Sequence, residues 1–372
     1  MQAANQRFLP LDVFRGLTIC FMIIVNTPGS YDHIFAPLEH AAWHGFTPTD
    51  LVFPSFLFAV GNAMSFSMRK YYELGNAAVL SKIFKRTLLI FLLGFIMYWL
   101  PFVRHTPNGL EFIPFHDTRI MGVLERIALC YCFASLMIRY LPTKAVWIIS
   151  ALLLLGYWFI MYFLGDPADP YGFSTNAAVH FDKLILGENH MYHDKGTISE
   201  PEGLLSTLPA IVNVVIGYYT GLFIQKRKPN TFSILIRFGC MFIIVATLWN
   251  QQFPINKKLW TSSFVLLTAG LDLLILTALL YIIDVKGKTR WTGFFTTFGK
   301  NPLFLYLLSE VMVIFLYFFT IGNESVYDWL SNHIFQQIAP GKVGSLLFAI
   351  TFMLFCWCVG KILDKKRIYV RV

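Results

Sequence analysis

Two histidines and an aspartate lie close together between the first two apolar stretches of the chain, where the sequence reads HAAWHGFTPTD from His40 to Asp50. An imidazole with an unperturbed pKa of about 6.5 can accept a proton from an amine or alcohol nucleophile, which suits His40 as a general base. Asp50 begins the next stretch, where it either orients His40 or caps a helix. His40 and His44 would suit a metal ion only on one helix, but Gly45 and Pro48 favour a turn and a third ligand is missing. We therefore expect a base at His40 and no metal.

Charged residues also interrupt the apolar stretches. Inside a membrane each costs at least about 2.5 kcal/mol, so each calls for a partner or a function. In chain order they are Asp12, Arg15, Glu125, Arg126, Asp272 and Glu310. The first two share a helix face at i,i+3. For the first three, an interior network that holds helices together is as good an interpretation as a functional one. The last three lie deeper in their stretches, so we expect them to line a cavity.

The segment Gly299-Lys300-Asn301-Pro302 has the features of a helix start, with Asn at the cap and Pro at the first position. Free backbone N–H groups, the positive end of the helix dipole and the Lys300 ammonium together suit a phosphate. A basic stretch, 286–290, shortly precedes it. We therefore predict that Lys300 and Asn301, together with Arg15, bind an anionic cofactor.

The elements that position these residues must lie in lipid. Of the 372 residues 56% are hydrophobic, only 14% are charged, and the mean hydropathy is +0.59. Soluble domains have about 25% charged residues, so a soluble enzyme is excluded. Stretches of about 20 apolar residues predict an all-α bundle of about ten transmembrane helices in one domain, 1–372. They cover 11–27, 50–68, 86–103, 120–140, 144–164, 204–224, 231–249, 260–283, 301–320 and 343–362.

The basic residues indicate how the bundle is oriented. With a cytoplasmic amino terminus, 21 lysines and arginines fall in inner segments and seven in outer ones, which predicts that both termini are cytoplasmic. Topology thus explains the net charge of +9, and no stripe of basic and aromatic residues remains for a nucleic acid. We interpret the first stretch as a retained helix because no small-residue cleavage site follows it. All six cysteines lie within spans, so no disulfide framework is expected.

The outer segments have a different character, because all nine histidines fall in them. The longest, 165–203, is rich in Asp, Gly, Pro and His and is long enough to cover a site. Residues 325–339 have the pattern of an amphipathic surface helix. No internal repeat is evident, which weakens the case for an inverted-repeat transporter.

Several sequence blocks together resemble the catalytic membrane domain of the heparan-alpha-glucosaminide N-acetyltransferase family. The blocks are LDVFRG at 11–16 with Asn26; HAAWHGFTPTDLVFPSFLFAVG at 40–61; GVLERIALCY at 122–131; PEGLLSTLPA at 201–210; NKKLWTSSFVL at 256–266; and GKNPLFLY at 299–306. They extend over nearly the whole chain, and several are long enough to be specific. The chain starts at the ten-helix core, as bacterial relatives do, which implies an integral protein of a bacterial inner membrane.

The resemblance implies a transfer of acetyl groups across the membrane. Cytoplasmic acetyl-CoA would be the donor and a glucosamine-like amino sugar at the outer face the acceptor. His40 matches the family's catalytic histidine and Asn26 the asparagine beside it. Supporting and substrate residues on the matching blocks are Asp50, Trp43, Lys257 and Trp260. The family also implies a homodimer.

Two mechanisms and two other functions remain open from sequence. His40 either deprotonates the acceptor amine, with Asn26 donating to the oxyanion, or is itself acetylated first. An amino-sugar or N-acetylglucosamine permease would also use ten helices with mid-span Asp272 and Glu310. An O-acetyltransferase acting on a cell-envelope glycan would share the enzyme class but not the acceptor.

Overall fold

The computed structural model describes residues 8–71, 75–194 and 197–370 and shows a helical bundle. The α-helices are α1 (Leu9–Asn26), α2 (Val52–Tyr71), α3 (Asn76–Trp99), α4 (Val123–Tyr140), α5 (Thr143–Leu164), α6 (Ala177–Leu186), α7 (Leu204–Gln225), α8 (Thr231–Trp249), α9 (Ser262–Leu280), α10 (Thr292–Lys300), α11 (Pro302–Phe318), α12 (Val326–Leu330), α13 (Gln336–Ile338) and α14 (Lys342–Lys365). Every predicted span coincides with a helix in this series. α3 begins ahead of its predicted span, because three basic residues in its first turns hide its start from a search for apolar residues.

Short strands supplement the helices, which the all-α prediction lacked. They form three antiparallel hairpins: β1 (Val103–Thr106) with β2 (Gly109–Phe112), β3 (Tyr192–Asp194) with β4 (Thr197–Ser199), and β5 (Thr320–Ile321) with β6 (Glu324–Ser325). All three lie in connections between helices. The loop 165–203 accordingly contains both α6 and the β3–β4 hairpin. In place of the predicted surface helix at 325–339, α12, a short π-helix (Ser331–Phe335) and α13 follow one another.

Seven of the described helices are long and apolar enough to cross a membrane, and the bent pair α10–α11, with an angle of 81° between its halves, would be an eighth span. α3 and α4 each carry three charged residues, which explains why they fall outside that group. Ten spans and cytoplasmic termini therefore stay predictions. The apolar helices themselves define an integral membrane protein.

The bundle has enclosed central helices and lipid-facing outer ones. In α7 and α2 the apolar stretch is 78% and 72% buried, whereas in α8 and α5 it is 22% and 28% buried. The exposed side chains of these outer helices are large and apolar, among them Phe163 and Leu248. Such a surface is stable only against lipid.

Glycines allow the two central helices to touch through their backbones. A Cβ on Gly61 of α2 would lie 2.0 Å from the carbonyl oxygen of Val214 in α7, and one on Gly217 would lie 2.1 Å from that of Phe58. Small residues at such crossings let helices in a membrane approach closely. This contact positions α2, whose preceding turn carries Asp50.

We expect Gly61→Ala to destabilise the fold by about 1–3 kcal/mol, since the added methyl group meets backbone atoms that cannot rotate away. Thermal unfolding of the purified protein in detergent measures the effect. Gly156→Ala in α5 is the control, because nothing lies within 4 Å of its Cβ position. Equal unfolding midpoints for the two variants would contradict the packing argument.

Candidate active site

The connection between α1 and α2 holds a buried carboxylate at a short helical turn. The turn Pro48–Leu51 precedes α2, and the Asp50 side chain within it is fully buried. Its Oδ2 accepts hydrogen bonds from the backbone N–H groups of Thr47 at 2.9 Å and Ala41 at 3.2 Å. Asp50 therefore caps the turn and also ties the preceding loop to it.

The other oxygen of the same carboxylate holds His40. The distance between Asp50 Oδ1 and His40 Nδ1 is 2.6 Å. An ionised carboxylate only accepts hydrogen bonds, so Nδ1 carries the proton and Nε2 has a free lone pair. The His40 side chain is 43% exposed, which leaves it within reach of a substrate. Asp50 thus makes both contacts that the sequence offered as alternatives, and the pair has the geometry of an oriented base. His44 points elsewhere, with its Nδ1 3.3 Å from the Asn256 amide.

Lys257 comes from a distant part of the chain to stand beside His40. Its Nζ lies 3.1 Å from Nε2 and 3.2 Å from Nδ1 of the imidazole. Crowding by the surrounding protein and the positive charge of Lys257 both lower the pKa of His40, although Asp50 opposes them. His40 is consequently neutral near pH 7 and available as a base. Burial likewise lowers the pKa of Lys257, against the opposing charges of Glu202 and Asp50.

The loop that carries Lys257, 250–261, is fixed by its own hydrogen bonds. Asn256 accepts from the N–H of Leu259 at 2.9 Å and donates its own N–H to Thr261 Oγ1 at 3.1 Å. The Gly45 N–H donates to the carbonyl of Ile255 at 2.8 Å and so joins this loop to the His40 segment. These bonds fix the backbone from which the Lys257 side chain reaches the imidazole.

An ion-pair cluster that sequence reasoning missed includes Glu202, whose charge acts on Lys257. Arg119 Nε donates to Glu200 at 3.0 Å, and its Nη2 contacts Glu200 and donates to Glu202 at 2.8 Å. The guanidinium also lies over the rings of Tyr98 and Tyr192, at 4.8 and 4.9 Å. Glu202 falls within the 201–210 block of the family resemblance, which was a signal for it. Arg119 carried no such signal.

We expect Arg119→Met to destabilise the protein by about 3–5 kcal/mol, because it leaves the fully buried Glu200 side chain without its cation. The readout is the thermal unfolding midpoint in detergent. Arg104→Met is a matched control: Arg104 faces Asp117 at 3.6 Å in an exposed pair, which contributes at most about 1 kcal/mol. If both variants unfolded like the wild type, the cluster would have no structural role.

Asn26 and Trp43 also have defined partners. The Asn26 amide donates to Glu310 Oε1 at 3.1 Å, which links the end of α1 to the middle of α11. Trp43 donates through Nε1 to the carbonyl of Tyr171 at 2.9 Å, and its ring packs on Phe173. Trp43 therefore fastens the His40 segment to the 165–203 loop. The proposed catalytic part of Asn26 stays a prediction.

Arg126 and Trp260 form a stacked pair in the interior. The Arg126 guanidinium lies 4.8 Å from the centre of the Trp260 ring, and its Nη2 donates to the carbonyl of Gly203 at 3.1 Å and to Ser206. Trp260 Nε1 donates to Asn213 at 3.1 Å. Both side chains are fully buried, so this pair stabilises the base of the 250–261 loop. A substrate contact by either residue stays a prediction.

A cavity of about 390 Å³ lies directly beneath the turn that holds Asp50. Its walls come from α1, α2, α9 and α10 and from Pro48 and Leu51 on either side of Asp50. The lining is almost wholly apolar, with Ser55 as one of its few polar groups. Ser55 donates to the buried carboxyl of Asp272. Asp272 is thus linked to the cavity wall through the hydroxyl group of Ser55.

The residues predicted to bind an anion have partners within the protein. Arg15 pairs with Asp12 as the i,i+3 spacing indicated. Lys300 Nζ lies 2.6 Å from Asp364 of α14. The Asn301 side chain donates to the carbonyl of Ile368 and accepts from the backbone N–H of Val370, so it holds the segment after α14 and does not cap α11. Anion binding at these residues stays a prediction.

These features define the class: a polytopic helical membrane protein in which a buried aspartate orients a partly exposed histidine, and in which the turn that carries this aspartate borders an apolar cavity. A family model described as heparan-alpha-glucosaminide N-acetyltransferase, catalytic, matches residues 7–246. The chain belongs to this family, which confirms the resemblance of the sequence blocks.

Two relatives extend the comparison beyond residue 246. Heparan-alpha-glucosaminide N-acetyltransferase of Mus musculus is 28% identical over 410 residues, which cover 94% of this chain and 60% of the relative. The Homo sapiens protein is 29% identical over 369 residues, covering 84% and 54%. The chain thus spans little more than half the length of these relatives.

Proposed function

We propose that the protein is a membrane acetyltransferase that moves an acetyl group from acetyl-CoA to the amine of a glucosamine-like sugar. The observation that carries the proposal is the 2.6 Å contact between Asp50 and His40, which fixes the tautomer and leaves Nε2 as a base. The choice of an acetyl group and of a glucosamine-like acceptor follows the names of the mouse and human relatives.

The chemistry follows from this geometry. His40 Nε2 takes a proton from the acceptor amine as its nitrogen attacks the thioester carbonyl, and the carbonyl electron pair moves onto the oxygen. The amide of Asn26, which has a second N–H besides the one facing Glu310, donates to this oxyanion. When the intermediate collapses, the carbon–sulfur bond breaks and the thiolate of CoA takes the proton from His40. In the two-step variant His40 carries the acetyl group before the amine arrives.

We propose that the donor approaches His40 along the cavity that borders the turn Pro48–Leu51. Its apolar walls suit the slender thioester arm of acetyl-CoA, which would approach along α1 and α2 with its phosphates at the inner end. Binding of the phosphates by Lys300 requires that Asp364 yield its partner, since the two now form an ion pair. Arg15 would contribute a second cation. This arrangement implies a cytoplasmic donor and an acceptor at the outer face.

The acceptor side is shaped by the 165–203 loop, which Trp43 joins to the His40 segment. An amine is the proposed nucleophile, and a hydroxyl of an envelope glycan is the alternative within the same chemistry. The bilayer is the proposed environment, with a bacterial inner membrane as the location and a homodimer as the assembly.

The experiment is incubation of the purified protein with acetyl-CoA and a panel of amino sugars, followed by mass spectrometry of the products. We expect glucosamine to gain one acetyl group at nitrogen and acetyl-CoA to be converted to CoA. Calorimetry with CoA tests the donor site separately. An absence of binding at millimolar CoA, with no product, would favour the permease, for which the buried Asp272 is the supporting feature.

A further inference from the structure

The side-chain amine of Lys257 lies next to the ring nitrogen that a substrate amine must approach. A general base works on a proton whose heavy atom lies about 2.6–3.2 Å away. Lys257 Nζ is 3.1 Å from His40 Nε2 and 3.2 Å from Nδ1, so it lies over the face of the imidazole. A rotation of the lysine side chain brings one N–H bond into the ring plane opposite Nε2, and the amine then has the same relation to His40 as the attacking nitrogen of an amino sugar.

The lysine next to it provides an internal comparison. Lys258 Nζ lies 5.7 Å from the ring of Phe173, on the 165–203 loop, and makes no contact with His40 among the contacts of the described residues. The two lysines are neighbours in the sequence and belong to the same loop, but of the two only Lys257 contacts His40.

We propose that Lys257 is a self-acetylation site, modified by the enzyme's own reaction when acetyl-CoA is bound and no acceptor is present. The inference rests on the proposed function, because His40 and the thioester donor are the same. His40 Nε2 takes a proton from Lys257 as its nitrogen bonds to the acetyl carbon. The carbon–sulfur bond then breaks, the thiolate takes that proton, and the products are acetyl-lysine and CoA.

The charges around Lys257 are consistent with such a reaction. Burial lowers its pKa, with Lys258 and Arg126 contributing in the same direction, and this favours the neutral, nucleophilic amine. Glu202 and Asp50 act in the opposite direction and preserve the ammonium in part of the population. Self-acetylation is therefore slow compared with transfer to an acceptor that displaces the lysine from Nε2.

The modification closes the site. An amide is stable, so the acetyl group stays on Lys257 and fills the space beside Nε2. Acetylation also removes the positive charge that keeps the pKa of His40 low. Excess donor without acceptor would consequently inactivate the enzyme over time, whereas an acceptor would protect it.

The test is incubation of the full-length protein in detergent with labelled acetyl-CoA alone, followed by fragmentation mass spectrometry of the peptide that contains both lysines. We expect acetylation of Lys257 to exceed that of Lys258 by about tenfold or more, and His40→Ala to reduce it to the Lys258 level. Hydroxylamine treatment removes an acetyl group from histidine but not from lysine, and so separates this product from an acetyl-imidazole.

The same preparation is assayed with acetyl-CoA and glucosamine, which separates the two proposals. Acetylated glucosamine with an unmodified Lys257 would overturn the self-acetylation site and leave the proposed function intact. Acetylated Lys257 without any sugar product would support the site and overturn the proposed acceptor. Equal labelling of the two lysines, or labelling that persists in His40→Ala, would show a non-enzymatic reaction and overturn the inference.

Discussion

The His40→Ala substitution should reduce acetyl transfer to glucosamine by about 10²–10⁴-fold, which is the usual contribution of a positioned base. The same loss is expected whether His40 deprotonates the amine or carries the acetyl group, since both routes use Nε2. Release of the CoA thiol and formation of N-acetylglucosamine are the two readouts. Binding of CoA should remain close to that of the wild type, because His40 lies outside the residues proposed for the donor.

His44→Ala is the matched control for this variant. His44 lies in the same segment, but its ring faces Asn256 and not Asp50. Asn256 keeps its other hydrogen bonds in that variant, with Leu259 and Thr261, so the 250–261 loop should hold its shape. Full activity in His40→Ala would remove the basis of the proposed function, as would equal losses in the two variants.

The pH dependence of the wild-type rate should follow the protonation of His40. The neutral imidazole is the active form, so the rate falls as the pH drops through the pKa of this group. Crowding by the surrounding protein and the charge of Lys257 lower that pKa below its ordinary value of 6.5. We therefore expect kcat/KM, calculated for the neutral form of the acceptor amine and measured at saturating acetyl-CoA, to fall to half of its plateau at a pH below 6.5. A midpoint above pH 6.5 would contradict a lowered pKa.

What the sequence could predict was local. His40 and Asp50 lie ten residues apart on either side of a turn, so a contact between them was a reasonable expectation from spacing. Lys257 follows His40 by 217 residues, and nothing in a single sequence indicates that the two meet. The pairs Arg119–Glu200 and Lys300–Asp364 are distant in the same way. Lys300 therefore looked like a free cation although α14 supplies its partner.

The helices were predictable because each presents an apolar stretch of membrane length. Their ends were less so, and α3 shows why. Its first turns carry Lys82, Lys85 and Arg86, which are good helix formers but interrupt an apolar window. The hairpins in the connections have only two to four residues in each strand, too few for an alternating pattern to be read. Length and apolarity thus indicate the spans, and hydrogen bonding decides where the helices begin.

The Asp50→Asn substitution should lower kcat by about 10²–10⁴-fold, although it replaces only one non-hydrogen atom of the side chain. Two backbone N–H groups, of Thr47 and Ala41, converge on one oxygen of the side chain. Asparagine must turn its carbonyl oxygen toward them, because its NH₂ group cannot accept a hydrogen bond. The NH₂ group then faces His40 Nδ1 and donates to it.

The imidazole must respond by placing its proton on Nε2, and the ring no longer has a lone pair where the substrate amine arrives. The loss should therefore appear in kcat and not in the affinity for CoA, and the fold should persist because the turn at Pro48–Leu51 keeps its cap. Unfolding midpoints and calorimetry check those two expectations alongside the kinetics. Thr49→Ser is the control, since it changes the same turn but keeps the hydroxyl that donates to the carbonyl of Pro37. An Asp50→Asn enzyme with wild-type kcat would mean that the tautomer of His40 is irrelevant, and with it the role of His40 as a base.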